Sequence, residues 1–327
     1  MIKKLKDTTV GEVAKELARL RNEEGATAST RVLTLVILAE KGHSKAAVEA
    51  ALKASYEHPS RIIVHIDYGQ EAEDRLDARI YVGGDAGASE LIILRGYGSA
   101  AQPTESLISG LLLPDSPIVA WWPHSVPENP AEHSIGRLAQ RRITDSARAY
   151  DPLGVLEQLA ASYRAGDTDL AWIRLTLWRI QIAAVFDQLE PAPITRVKVS
   201  GSSMSPSVVL LGAWLGEKLN AEVHLRTTAV ERGLYRVELE RPDGSIIIYR
   251  PGKSIATISY PGAPDQQISL PVRSLADCLA EELRRLDPDQ VYGEVLQAVV
   301  QSGRLVVDVN SDDMADESAN YTEVFDA

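Results

Sequence analysis

Residues 31–39 read Arg-Val-Leu-Thr-Leu-Val-Ile-Leu-Ala, an almost unbroken apolar run rich in β-branched side chains. Strict alternation would mark a strand with one wet face. A continuous run marks a strand covered on both faces, as in a parallel sheet packed between helices. The flanks agree with that reading. Upstream, Thr9 and Glu12 are spaced as a capping box, and Val10, Val13, Leu17 and Leu20 recur at helical spacing. Downstream, Ser44 is placed to cap a helix with Ala47, Val48, Ala51 and Leu52 on one face. Strands are expected at Arg61–Asp67, Arg75–Val82 and Glu90–Arg95, followed by a short helix from Thr104 and a second buried strand, Pro117–Trp122. Strands interleaved with helices predict an α/β layer architecture.

Pro123–Gly136 is a loop by composition, Arg142–Ala147 a further strand, and Asp151-Pro152 a cap followed by proline at the first helical position. Asp169–Gln188 is apolar in nearly every direction, which predicts one long helix buried between layers or domains. Beyond it come strand Thr195–Ser200, helix Ser205–Leu219, and a hairpin of Leu234–Arg241 and Ser245–Arg250 around Pro242-Asp243-Gly244. Two helices, Val272–Leu286 and Pro288–Ser302, follow, the second with Asp287-Pro288 read as cap and first position. The expectation is two α/β domains with mixed sheets, the second with an antiparallel hairpin portion, joined through the long buried helix. Their spans are 1–165 and 166–308, with an acidic tail over 309–327. Ser311–Ala327 carries six acids and no Lys or Arg, a composition that predicts disorder.

At 327 residues the chain is long enough for two cores. A net charge of −12 argues against nucleic acid and against an anionic membrane surface, both of which call for a basic face. The single cysteine, Cys278, excludes an intramolecular disulfide and a cysteine-based zinc site, and points to a reducing, cytoplasmic compartment. The first residues lack the apolar core of a signal peptide, and the longest apolar stretch, Val208–Leu215, is far short of a bilayer span.

Two turns have the form of phosphate sites. Gly96-Tyr97-Gly98-Ser99-Ala100-Ala101 spells the dinucleotide turn, but Pro103 intervenes before the next helix and the preceding strand is not the first of its domain, so an ordinary glycine turn is the better reading. Ser200-Gly201-Ser202-Ser203-Met204-Ser205-Pro206 lies between a strand and a helix. It reads either as a structural turn with Ser205 as N-cap or as a phosphosugar cradle using Ser202, Ser203 and Ser205. The six histidines (43, 58, 65, 124, 133, 224) show no metal spacing. No nucleophile elbow or Walker lysine occurs, so no catalytic, cofactor-binding or metal-ligating set is assigned and no cofactor is expected. Cys278 falls on the apolar stripe of its helix and reads as a small buried hydrophobe. Trp121 and Trp122 end a strand and face opposite sides, one for the core and one for a cleft or partner. Arg174 and Arg179 sit in an apolar helix and need carboxylate or carbonyl partners.

Three stretches resemble the OpcA family, the glucose-6-phosphate dehydrogenase assembly proteins of actinobacteria and cyanobacteria. They are His58-Pro59-Ser60-Arg61-Ile62-Ile63-Val64, Leu112-Leu113-Pro114-Asp115-Ser116-Pro117-Ile118-Val119-Ala120-Trp121-Trp122-Pro123, and Asp167-Thr168-Asp169-Leu170-Ala171-Trp172-Ile173-Arg174-Leu175-Thr176-Leu177-Trp178-Arg179. The resemblance implies a cytoplasmic, non-catalytic partner that binds glucose-6-phosphate dehydrogenase and allosterically promotes its active oligomer, at the NADPH-forming entry to the oxidative pentose phosphate pathway. His58, Arg61, Trp121, Trp122, Trp172, Arg174, Trp178 and Arg179 are its motif or interface residues on that reading. Thiol control through cysteine pairs, associated with cyanobacterial relatives, does not carry over to a chain with one cysteine. The alternative is a phosphosugar-binding enzyme or sensor built on the 200–205 turn.

Overall fold

The computed structural model describes residues 1–23, 32–83, 90–228, 233–301 and 305–309. The expected acidic tail from residue 310 onward lies outside them. In chain order the elements are β1 (Ile2–Leu5), α1 (Val10–Glu23), β2 (Leu33–Glu40), α2 (Ser44–Ala54), β3 (Ser60–Asp67), β4 (Arg75–Tyr81), β5 (Glu90–Tyr97) and α3 (Glu105–Ser109). Next come β6 (Ile118–Trp122), β7 (Arg141–Thr144), α4 (Pro152–Ser162), β8 (Asp167–Asp169), α5 (Leu170–Ile173) and α6 (Thr176–Phe186). The remainder is β9 (Arg196–Ser202), α7 (Pro206–Leu219), β10 (Glu222–Thr228), β11 (Leu234–Glu240), β12 (Ile246–Tyr249), β13 (Ile255–Ser259), β14 (Gln266–Ser269), α8 (Leu275–Leu283), α9 (Gln290–Gln301) and β15 (Leu305–Val309). These residues form two compact units. One is Met1–Ile173 with Arg273–Gly293; the other is Arg174–Val272 with the chain from Glu294 on.

The first unit holds an eight-stranded sheet in the order β1-β4-β5-β3-β2-β6-β7-β8. The six strands from β5 to β8 are mutually parallel, while β1 and β4 add an antiparallel edge. Counted along the chain, the parallel strands lie in the order 3-2-1-4-5-6, the doubly wound arrangement that reverses direction between β2 and β6. Every residue of β2 except Glu40 is buried, as its unbroken apolar run requires. Val36 and Leu38 join a core with Val13, Leu17 and Leu20 of α1, Ile108 of α3, and Trp122. On the other face α2 packs on β2 and β3, and α8 packs on α2. The capping box of α1 is present in full: Thr9 Oγ1 accepts from the Glu12 amide and Glu12 accepts from the Thr9 amide.

The second unit holds a seven-stranded sheet, β14-β13-β12-β11-β9-β10-β15, among the described residues. Here β10 runs parallel to β9 and β15, and β11 to β14 form an antiparallel meander. The hairpin of β11 and β12 pairs Val237 with Ile248 and Leu239 with Ile246, and Gly244 supplies the positive φ of its turn, +128°.

The long helix expected over Asp169–Gln188 is instead a strand and two helices. Asp167–Asp169 pair with β7, and the Asp169 carboxylate accepts from Thr144 Oγ1, the Ser146 amide and hydroxyl, and the Ala171 amide. A carboxylate so fully satisfied within the sheet fixes the extended backbone at a point where periodicity alone favours helix. The chain then breaks at Arg174-Leu175, and α6 keeps a wet face, with Ile180 53% exposed. Capping also differs near the end of the chain. Asp289, not Asp287, caps α9 by accepting from the Tyr292 amide, while the Asp287 carbonyl accepts from Arg141 Nη1.

Candidate functional site

Most residues that carry the resemblance are fasteners of the first unit. Arg61 is 4% exposed. Its guanidinium pairs with buried Glu90, at 2.8 Å through Nε and 2.7 Å through Nη2, and Nη1 donates to the carbonyls of Leu111 (2.9 Å) and Leu112 (3.3 Å). Thus the first stretch holds the second. His58 is half-buried, with Nε2 3.0 Å from the Ala280 carbonyl of α8. Trp172 is fully buried and its indole N–H donates to Asp289 Oδ2 at 2.9 Å, so the third stretch grips the returning segment. Arg142 binds Asp167 in the same layer, with Nη1 and Nη2 on the carbonyls of Ala139 and Ala165.

Trp121 and Trp122 do point to opposite faces, but both are buried, at 0% and 3% exposure. The expectation that one is left at the surface fails because β6 is an interior strand, paired with β2 and β7 and covered on both sides. Trp122 packs edge-on against His133. In the second unit Trp178 is 2% exposed and lies under the Arg250 guanidinium, 5.1 Å from ring centre to Cζ. Arg179 Nη2 donates to Thr176 Oγ1 at 3.3 Å, and Arg174 is half-buried at the break between α5 and α6.

Both glycine turns have packing reasons. A Cβ on Gly96 would lie 1.8 Å from the Ala100 carbonyl oxygen, and Gly98 has φ +61° with Asp74 Oδ1 2.2 Å from the same imagined atom. After Gly98 comes a single 3-10 turn, so no long helix opens its amides toward a phosphate. In the 200–205 turn a Cβ on Gly201 would strike Val208 and the Gly233 carbonyl. Ser205 occupies the N-cap position of α7, but its side chain caps nothing. Ser203 is exposed, and the Ser202 hydroxyl accepts from the Met204 amide.

In a doubly wound sheet the ligand crevice lies beyond the carboxyl ends of the strands where their order reverses, here between β2 and β6. The first strand-to-helix turn there reads Glu40-Lys41-Gly42-His43-Ser44, with one glycine where a dinucleotide turn uses three. His43 stacks on His124, which follows β6, with ring centres 4.2 Å apart, and Tyr150 meets both rings edge-on. Burial, and then the nearby His43, hold the His124 imidazole below its ordinary pKa. Spacing rules miss this cluster because its members lie on three separate loops. Only the reversal of strand order brings them together.

Two domain models of the glucose-6-phosphate dehydrogenase subunit match consecutively. Its N-terminal domain matches residues 51–161, and its C-terminal domain matches residues 165–296. No curated protein matches the chain. Among solved structures, an oxidoreductase from Sinorhizobium meliloti is 10% identical over 82% of this chain and 88% of its own, with a TM-score of 0.42. A myo-inositol dehydrogenase from Lactobacillus casei is 9% identical over 83% and 94%, with a TM-score of 0.37. Likenesses that distant carry no functional argument. No helix among the described residues is long and apolar enough to cross a membrane.

Proposed function

Because the chain belongs to the OpcA family of glucose-6-phosphate dehydrogenase subunits, we propose that it is a non-catalytic assembly factor and allosteric activator of that dehydrogenase, working in the cytoplasm. The observation that carries this reading is the pair of consecutive domain matches, which together span residues 51–296. The first unit supports it chemically. It has the strand order of dinucleotide-binding sheets, yet its first turn presents the ring of His43 where such sites bring bare glycine backbone against the pyrophosphate. On this reading the buried motif residues Arg61, Trp121, Trp122, Trp172 and Trp178 act by holding the shape of the two units, and the exposed surface they support meets the dehydrogenase.

Activation requires differential binding. The chain shifts the enzyme's population only as far as it prefers the active oligomer, and a tenfold preference corresponds to about 1.4 kcal/mol. Linkage then makes glucose 6-phosphate tighten the protein–protein complex by the factor by which the complex tightens substrate binding. The test is a titration of the chain into a fixed, low concentration of the cognate dehydrogenase, read by rate and by complex mass. Saturable activation that tracks complex formation is expected, and the chain alone turns over no glucose 6-phosphate with either nicotinamide nucleotide. A complex with unchanged kinetics would reduce the role to a structural one. Absence of any complex would refute the proposal.

A further inference from the structure

At the reversal point of the first sheet, three side chains with metal-ligating atoms converge. Glu40 ends β2, His43 precedes α2 and His124 follows β6, and one ligand atom from each lies within 4.8 Å of the others. His124 Nδ1 is buried and has no hydrogen-bond partner. His43 stands at the N-cap of α2, yet its side chain caps nothing. Two nitrogen donors are therefore unspent beside a carboxylate, in the crevice where sheets of this order hold their ligands.

We propose that this crevice binds one divalent transition-metal ion of the Zn²⁺ class through Glu40, His43 and His124. Two imidazoles and one carboxylate are a borderline donor set, suited to Zn²⁺ and too rich in nitrogen for Mg²⁺ or Ca²⁺. Three protein ligands leave a coordination position for water. The two rings are tilted by only 22°, so their lone pairs lie in near-parallel planes. Exposed His43 is the ring that turns to converge on the ion, while half-buried His124 stays in place. Glu40 and Asp145 face His124 with negative charge, against the positive charge of Arg148 and the N-terminal end of α2. A neutral imidazole is the ligating form, so binding weakens as pH falls.

The test uses the full chain after exhaustive dialysis against a chelator, and needs no dehydrogenase, so its outcome is independent of the function proposed above. Zn²⁺ is titrated calorimetrically, and Co²⁺ serves as a spectroscopic probe of ligand geometry. One ion per chain is expected, with affinity falling as the imidazoles protonate. His124→Ala, Glu40→Gln and His43→Ala each weaken binding by at least about tenfold, a scale already reached by outer-shell partners of metal sites. Glu49→Gln, on the exposed face of α2, leaves affinity unchanged. His43→Ala alters an exposed ring and so keeps the test valid if His124→Ala loosens the fold. Absence of binding, or equal binding by all variants, would overturn the assignment.

Discussion

Replacing Arg61 by methionine separates a fold-holding motif from a partner-contacting one. The side chain is 4% exposed, and Glu90 opposite it is fully buried. Methionine retains much of the aliphatic stem but strands the Glu90 carboxylate, and breaking a buried pair in this way costs about 3–5 kcal/mol. The carbonyls of Leu111 and Leu112 also lose their donor, at about 1–3 kcal/mol for a buried group left unsatisfied. Arg21, 3.1 Å from Glu90 Oε1 and 42% exposed, remains and returns up to about 1 kcal/mol. The net loss of about 3–8 kcal/mol is a large share of a typical domain's stability. At about 2–4 °C per kcal/mol for a unit of this size, Tm falls by roughly 6–30 °C. Thermal and urea unfolding followed by tryptophan fluorescence measure it. Arg61→Met combined with Glu90→Leu should recover most of the loss, because a buried pair contributes little net stability over apolar residues of similar volume. A single variant that melts like the wild type but no longer activates the dehydrogenase would refute this reasoning and place Arg61 in the contact itself.

Trp172→Ala removes a fully buried indole and leaves Asp289 Oδ2 without its donor, so unfolding free energy should drop by about 3–5 kcal/mol in the same assays. Burial holds the His65 imidazole below its ordinary pKa of 6.5. The unfolded chain therefore takes up a proton that the folded chain refuses. Stability from this group is complete above about pH 6.5 and falls as pH drops below it, by up to about 1.4 kcal/mol per pH unit until the folded pKa is reached. In His65→Gln the acid slope of Tm should flatten. Cys278→Ala, which removes one buried sulfur, should cost about 1 kcal/mol and leave activation indifferent to dithiol reductants. Deleting Ser311–Ala327, where no apolar period offers a core, should leave Tm unchanged, checked by calorimetric scan.

The three stretches that resemble the family are recognisable because they meet strict packing demands. Arg61 needs Glu90 and two carbonyls of the Leu-Leu-Pro segment; Asp169 needs Thr144, Ser146 and the start of α5; Trp172 needs Asp289. Each demand joins elements distant in the chain, and each admits few residue types. A contact surface for another protein is met by many combinations of exposed residues, so it leaves no comparable signature in a single sequence.

Local signals sufficed for the α/β class, the capping box at Thr9 and Glu12, the hairpin around Gly244, and the burial of residues 33–39. Each arises from periodicity or from contacts within a few residues, which the sequence itself specifies. Strand order did not follow from these signals. Which of β2, β3, β5 and β6 lie side by side depends on how the crossovers wrap the sheet, and only that wrapping makes β6 interior and buries both Trp121 and Trp122. Tertiary structure also overrode a local preference at Asp169, where pairing with β7 and the hydrogen bonds of its carboxylate outweighed helical periodicity. The meeting of Glu40, His43 and His124 belongs to the same class: the end of β2, the turn after it and the loop after β6 become neighbours because the sheet reverses its winding between those two strands.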